Sequence, residues 1–214
     1  MDSRKLQALF SAAAAELKSH AQELSQLDAQ TGDGDHGFSI ARIADTILFE
    51  SEKPPRASIQ DYFDDLCIEL LKLNCGSAGN LWGVMMEGAG NALSPSPVGL
   101  AETVCQILKG AISGLAEISA AKPGDKTLLD TLTAALTAAQ EAPFSSAHAY
   151  LQAVSIGARS GADSTAAMSA RYGRAKNLPD GGLGYRDPGA VSLSIFLQSL
   201  CQAEIEALDH EKIH

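Results

Sequence analysis

The sequence predicts an all-α fold, and three observations carry that prediction. Alanine, leucine and serine dominate, valine and isoleucine are sparse, and aromatic residues make up only 5% of the chain, a composition suited to helices rather than sheets. Apolar residues recur at steps of three and four in one segment after another, the spacing of a buried helical stripe. Turns rich in glycine, proline and aspartate separate those segments. With 214 residues the chain can bury one sizeable core and is short for two, so residues 1–214 are expected to form a single domain.

Taken in order, Leu6, Leu9, Phe10, Ala13, Leu17, Ala21, Leu24 and Leu27 form one unbroken stripe. The spacing predicts a first helix from about Ser3 to Leu27 that delivers Asp28 at its end. A second helix follows Gly37, with Phe38, Ile40, Ile43, Ile47 and Leu48 along it. Pro54-Pro55 interrupts the chain, and Ser58 is a suitable N-cap for a helix carrying Tyr62, Phe63, Leu66, Leu70 and Leu73. The stretch from Asn74 to Gly83 is built of small residues. Such residues admit either a ligand close to the backbone or a closely packed neighbouring helix, and by themselves they support both equally.

Ser94-Pro95-Ser96-Pro97 reads as a loop inside the domain, and a helix follows through Val104, Ile107, Leu108, Ile112 and Leu115. Pro123-Gly124-Asp125-Lys126-Thr127 is a turn that starts the stripe Leu128, Leu129, Leu132 and Leu136. From Phe144 to Ala170 small residues prevail, which suits a helix packed tightly on its neighbours. Asn177 to Tyr185 is a turn-rich irregular segment, and long irregular segments concentrate function or mobility. Asp187 and Pro188 suit an N-cap and a first helical position. Val191, Leu193, Ile195 and Leu197 alternate as in a half-buried strand, but Asp-Pro before them and Ile205 and Leu208 after them favour a helix, which is the reading adopted.

The formal charge of −10 argues against a nucleic-acid or anionic-membrane surface, because its field repels a phosphate backbone. No segment reaches the ~20 apolar residues of a membrane span, and the start lacks the apolar block of a secretory signal. A cytoplasmic protein is therefore expected. Cys67, Cys75, Cys105 and Cys201 form no C-x-x-C pair, so buried free thiols are the expectation.

One stretch concentrates chemistry. Leu27-Asp28-Ala29-Gln30-Thr31-Gly32-Asp33-Gly34-Asp35-His36-Gly37 places three carboxylates and three glycines between two helical segments. Gly34 lets the backbone turn sharply, so Asp33 and Asp35 can converge with Asp28 on one point. At about 4 Å a like-charge pair costs on the order of 4 kcal/mol at an effective dielectric near 20, so a cation should sit between them. Hard oxygen donors suit Mg²⁺ or Ca²⁺, and Mg²⁺ with few carboxylates completes its shell with water and substrate phosphates. An EF-hand is excluded, since Ser39 stands where the closing Glu would be. A plain solvated turn remains the simpler reading of acidic residues alone. The N-terminus of the following helix, His36 to Ser39, would suit a phosphate, while His36 taken alone is more often a cap or packing residue. Arg174 is one of few cations; taken alone it is more readily a surface ion pair than a grip on phosphate.

Leu27-Asp28 followed by Gly32-Asp33-Gly34-Asp35-His36-Gly37 resembles the signature of the nucleotide-binding, DhaL-type subunit of dihydroxyacetone kinases. The resemblance continues at Gly76, Gly79, Leu81, Trp82 and Gly83, at Pro123 to Thr127, at Ala162 to Thr165, at Met168, Ala170 and Arg171, at Gly173 to Ala175 and at Asp187 to Ala190, nearly the whole chain. Ser77-Ala78 reverses the family's Ala-Ser, and Asn80 replaces its proline. Residues 177–186 depart most, with Tyr185 where the family commonly has histidine.

The resemblance implies an antiparallel barrel of about eight amphipathic helices with a nucleotide on the loops at one end. It implies that Asp28, Asp33 and Asp35 bind two Mg²⁺ ions bridging to the phosphates of ADP or ATP. His36, Gly37, Phe38, Ser39, Ser77, Ala78, Arg174, Asp187, Pro188 and Gly189 would surround the nucleotide, and Leu128 would lie near the adenine. No protein nucleophile is implied, since phosphoryl transfer rests on positioning and charge neutralisation. The implied partner is a separate substrate-binding subunit holding dihydroxyacetone or a related short ketose on a histidine. In one branch ADP stays bound and a phosphocarrier subunit of the sugar phosphotransferase system rephosphorylates it; in the other ATP is consumed. A nucleotide-loaded regulatory module without turnover is the alternative. The branch, the ketose and the oligomeric state, a homo-oligomer included, stay open in the sequence.

Overall fold

The computed structural model describes residues 2–94, 99–143 and 146–211. Among them the regular structure is helical throughout: α1 (Ser3–Ser19), α2 (Ala21–Asp28), α3 (His36–Glu52), α4 (Ile59–Leu71), α5 (Gly76–Asn91), α6 (Leu100–Ile118), α7 (Leu128–Glu141), α8 (Ala147–Ser164) and α9 (Pro188–Glu211), with short 3₁₀ turns at Thr165–Ala167 and Ala175–Asn177. The all-α expectation holds. The loop expected at Pro95 to Pro97 and the start of the segment from Phe144 lie outside the described residues.

The long helices form a closed ring. α1 packs on α3, and α3 to α9 each pack on the next in chain order; α9 then returns against α1, while α2 lies on α3. Five of the aromatic residues, Phe10, Tyr62, Phe63, Trp82 and Phe196, are pooled at the centre of this ring. Phe10 meets Tyr62, Phe63 and Phe196 edge-on at 5.6, 5.7 and 5.3 Å between centroids, and Trp82 meets Phe196 at 5.2 Å. These rings tie α1, α4, α5 and α9 together with the large buried area that aromatic side chains supply.

Helix starts follow local chemistry. Ser58 and Thr127 each make a reciprocal capping box, with Asp61 and Asp130. Asp187 accepts the Ala190 N–H at 2.8 Å, so α9 begins as its Asp-Pro pair predicts. The four cysteines are free, with Cys67, Cys75 and Cys201 buried and Cys105 partly so.

The first helix is not continuous. The chain breaks at His20 (φ −88°, ψ 4°), whose N–H bonds the Leu17 carbonyl, and its imidazole lies 2.8 Å from Glu23 and 3.2 Å from Glu16. The break lets α2 pack on α3, burying Leu24. That approach is so close that a Cβ on Gly37 would overlap the Ala21 carbonyl oxygen. At its far end α3 is anchored by Gln7, whose side chain reaches the Lys53 carbonyl at 3.1 Å, and by Arg56, which bonds the Glu50 carbonyl at 2.8 Å.

The small residues of α5 and α6 let two backbones touch. A Cβ on Gly110 would overlap the Gly88 carbonyl oxygen, and one on Gly114 that of Val84. Gly157 and Gly161 of α8 sit in the same way against Ala134 and Asp130 of α7, as the small-residue segment led us to expect. Gly110→Ala should therefore lower stability by about 2–3 kcal/mol through overpacking. Gly99→Ala, where an added Cβ meets nothing within 4 Å, should shift it by less than about 0.5 kcal/mol. Urea unfolding of both variants beside the wild type measures the contrast.

Candidate functional site

The antiparallel ring brings alternate helix ends together. α2 ends, and α3, α5, α7 and α9 begin, around one cleft of about 490 Å³. Four helix N-termini thus present their partial positive ends to a shared space. α7 and α9 are capped by Thr127 and Asp187, whereas α3 and α5 have no side-chain cap. At α3 the first N–H is taken by Asp28, and the first backbone N–H groups of α5 are suited to hold an anion. Leu115 and Ile118, from the end of α6, give the cleft an apolar wall, and Trp82 lies at its floor.

At the start of α3, within this positive end, stand the three carboxylates. One oxygen from each of Asp28, Asp33 and Asp35 lies within 4.8 Å of the others. Two glycines make this convergence possible. A Cβ on Gly32 would overlap the Asp28 carboxylate, and Gly34 takes φ +77°, in the left-handed region. The His36 N–H donates to Asp28 at 3.3 Å, joining the end of α2 to the start of α3. Arg174 approaches from the loop between α8 and α9, 2.6 Å from Asp33 and 4.0 Å from Asp35. Burial, with the neighbouring Asp33 charge adding to it, pushes the Asp35 carboxyl up, and Arg174 pulls it down. Three convergent oxygen donors opposed by one guanidinium fit a hard divalent cation.

Asp28, Asp33, Asp35, His36, Ser39, Ser77, Ala78, Leu128, Arg174, Asp187, Pro188 and Gly189 all line the cleft. Gly37 and Phe38 do not. Gly37 is consumed in packing on α2, and Phe38 is 68% exposed with Arg42 over its ring at 6.0 Å. The small-residue stretch serves both of its readings at once: Gly76, Ser77 and Ala78 line the cleft, while Gly79 and Gly83 press on Leu70 and Leu71 of α4. His36 is wedged between α3 and α9, with Nε2 3.1 Å from the Ser192 hydroxyl. Burial holds its pKa down, while Asp28 and the Pro188 backbone pull it up.

The sequence reading passed over Lys126. Its side chain is 1% exposed and lies at the cleft, yet its Pro-Gly-Asp-Lys-Thr setting gave a helix start and a match to the family without a role for the lysine itself. Tyr172, also a lining residue, carries no sequence signal of its own. The irregular segment before α9 is knit to itself by Ala170 N–H to Gly181 O at 2.9 Å and Gly184 N–H to Ala166 O at 2.8 Å.

Asp187 is the most perturbed acid here. Burial pushes its carboxyl up to about 6, against the Ala190 N–H and the Lys126 charge, which pull it down. A carboxyl with a raised folded pKa favours folding while protonated. Its contribution is present below about pH 4, the unfolded value, and is lost as pH rises through about 6. Asp187→Asn keeps an acceptor for the Ala190 N–H. Its melting temperature, followed from pH 4 to 7, should gain on that of the wild type as pH rises.

Comparison with known proteins places the chain in a family. The DAK2 domain family matches residues 30–202. An L-erythrulose kinase of Pectobacterium atrosepticum is 33% identical over 187 residues, covering 83% of this chain and 31% of that protein. The ADP-binding subunit DhaL of the PEP-dependent dihydroxyacetone kinase of Escherichia coli is 30% identical over 188 residues, covering 86% of this chain and 88% of that subunit. The crystal structure of the dihydroxyacetone kinase from C. freundii in complex with AMP-PNP and Mg²⁺ superposes with a TM-score of 0.70 at 26% identity, over 92% of this chain and 33% of that one. The chain therefore spans about a third of the kinase from P. atrosepticum and most of the DhaL subunit. By the extent of the match and the shared fold, it belongs to the DAK2 domain family.

Proposed function

We propose that this chain is the nucleotide-carrying subunit of a dihydroxyacetone-type kinase. It holds Mg²⁺ with ADP or ATP in the cleft and passes a phosphoryl group to dihydroxyacetone or a related short ketose presented by a separate substrate-binding subunit. The observation that carries this reading is the pairing of Asp28, Asp33 and Asp35, with oxygens within 4.8 Å, and four helix N-termini around one cleft. Carboxylates alone would repel a polyphosphate and helix ends alone would not need a cation. Together they suit a phosphate chain bound through a metal.

In this reading Asp28, Asp33 and Asp35 hold two Mg²⁺ ions, which supply charge neutralisation for the diphosphate. The start of α3, where His36 and the Ser39 hydroxyl face the cleft, and the backbone N–H groups opening α5 (Ser77 and Ala78) orient the phosphates. Leu128, Leu115 and Ile118 receive the base against apolar surface, and Asp187 to Gly189 close the side formed by α9. Arg174 neutralises charge on the phosphoryl group in transit. The whole chain acts as one domain. The named relatives support the class: the E. coli protein is an ADP-binding subunit of a kinase fed by phosphoenolpyruvate, and the C. freundii enzyme is a dihydroxyacetone kinase. Among the described residues no helix is long and apolar enough to cross a membrane.

Thermal unfolding tests the site first. With Mg²⁺ and ADP both near 100 times their dissociation constants, stability should rise by about 2.7 kcal/mol, or roughly 5–10 °C for a domain of this size. Either ligand alone should give much less, and Asp33→Ala should abolish the rise. Mixing with a substrate-binding subunit and dihydroxyacetone should then yield the phosphorylated ketose, with Arg174→Gln reducing turnover by about tenfold or more. A folded wild-type chain that shows no Mg²⁺-dependent response to nucleotide would sink this reading.

A further inference from the structure

Lys126 carries two penalties at once. Among the described residues it is the only non-glycine with positive φ, at 63°, a conformation that costs an ordinary residue on the order of 1 kcal/mol. Its side chain is also 1% exposed, and burying an ammonium is expensive unless its protons are bonded. The desolvation lowers its pKa, against the charges of Asp187 and Asp180, which raise it. Such a residue persists only where its surroundings over-determine it.

The bonds it makes show what those surroundings are. Nζ donates to the carbonyls of Thr165 (2.7 Å), Met168 (3.2 Å) and Tyr185. These acceptors match the three protons of an ammonium, and all lie on the loop that joins α8 to α9. Thr165 and Met168 stand at the loop's first foot and Tyr185 at its second. Nearby bonds run in the same direction: the Arg171 N–H bonds the Asp125 carbonyl at 3.2 Å, and the Asp187 N–H bonds the Thr165 hydroxyl at 2.9 Å. Between the two feet, Tyr172, Gly173 and Arg174 reach the cleft.

We infer that Lys126 is a positioning residue whose ammonium gathers both feet of the α8–α9 loop onto the start of α7 and thereby sets Arg174 and Asp187 at the cleft. Without the ammonium, three carbonyl dipoles face one another with no donor between them. The loop then opens, and Arg174 loses its fixed approach to whatever lies beside Asp33 and Asp35. A compact ammonium suits three converging carbonyls better than the planar fork of a guanidinium. The inference rests on the proposed nucleotide reading for its effect on ligand, and on geometry alone for its effect on the loop.

A double-mutant cycle on the full chain tests both parts. Lys126→Met keeps the stem and the left-handed backbone while removing the charge. Calorimetry with Mg²⁺ and ADP on the wild type, Lys126→Met, Arg174→Gln and the double variant gives four affinities. Lys126→Met should weaken binding by roughly tenfold to a hundredfold, but by less than about threefold in the Arg174→Gln background, because the two act through one contact. Hydrogen exchange of the ligand-free protein should be faster in Lys126→Met at residues 169–184. A lower melting temperature with unchanged affinity and unchanged exchange would overturn the inference, as would additive losses of affinity. If Lys126→Met fails to fold, Lys126→Gln, neutral but still a donor, is held to the same criteria. A wild type that does not bind the nucleotide refutes the functional reading. A loop whose exchange ignores Lys126 refutes the clamp itself, and the two failures are separate.

Discussion

Asp28, Asp33 and Asp35 crowd their oxygens to within 4.8 Å of one another, and the energy of that crowding shapes the end of the molecule that carries the cleft. Like charges at such separations cost on the order of 4 kcal/mol per pair at an effective dielectric near 20. The chain opposes the cost with fixed features: the N–H of His36 on Asp28, the guanidinium of Arg174 on Asp33, and the positive ends of four helices around the cleft. None of these would be in place without the closed ring, which alternates helix direction and so collects the starts of α3, α5, α7 and α9 at one end.

Glycine and other small residues do two jobs in this fold, sometimes within one helix. At the start of α5, Gly76 takes φ +62° with open space where a side chain would be, so the backbone is exposed to the cleft. A turn later, Gly79 and Gly83 bring the same helix against α4. The tight contacts further along, between α5 and α6 and between α7 and α8, give rigidity to the ring without large side chains. That leaves five aromatic rings, Phe10, Tyr62, Phe63, Trp82 and Phe196, to fill its centre.

The irregular segment before α9 is the part furthest from the regular scaffold, and it carries Arg174. It is held through backbone carbonyls and amides, with the buried Lys126 ammonium as the main link to α7. Side chains on such a loop can vary while its path is kept, because the contacts that fix the path are made by main-chain atoms.

What could be read from the sequence was what local chemistry decides. The acidic cluster was legible because its three carboxylates fall within eight residues, with Gly34 at the turn between two of them. The starts of α4, α7 and α9 were legible because Ser58, Thr127 and Asp187 bond to amides within three residues. The break at His20 was not, since an apolar stripe runs unchanged through a bend that alters only the direction of the axis. α9 imitated a strand because Ser192 and Ser194 are as buried as Val191 and Leu193, so no polar face marks its period. Phe38 and Ser39 stand side by side in sequence, but helical geometry turns one to solvent and the other to the cleft. The contacts of Lys126 were not legible because its acceptors lie 39, 42 and 59 residues away. The sequence by itself determined most of the helices, three of their starts and the clustering of three carboxylates in one turn, all set by neighbours along the chain. Only the tertiary structure decided which helix ends meet, which small residues face the cleft, and what a buried lysine holds, because those depend on contacts between segments far apart in sequence.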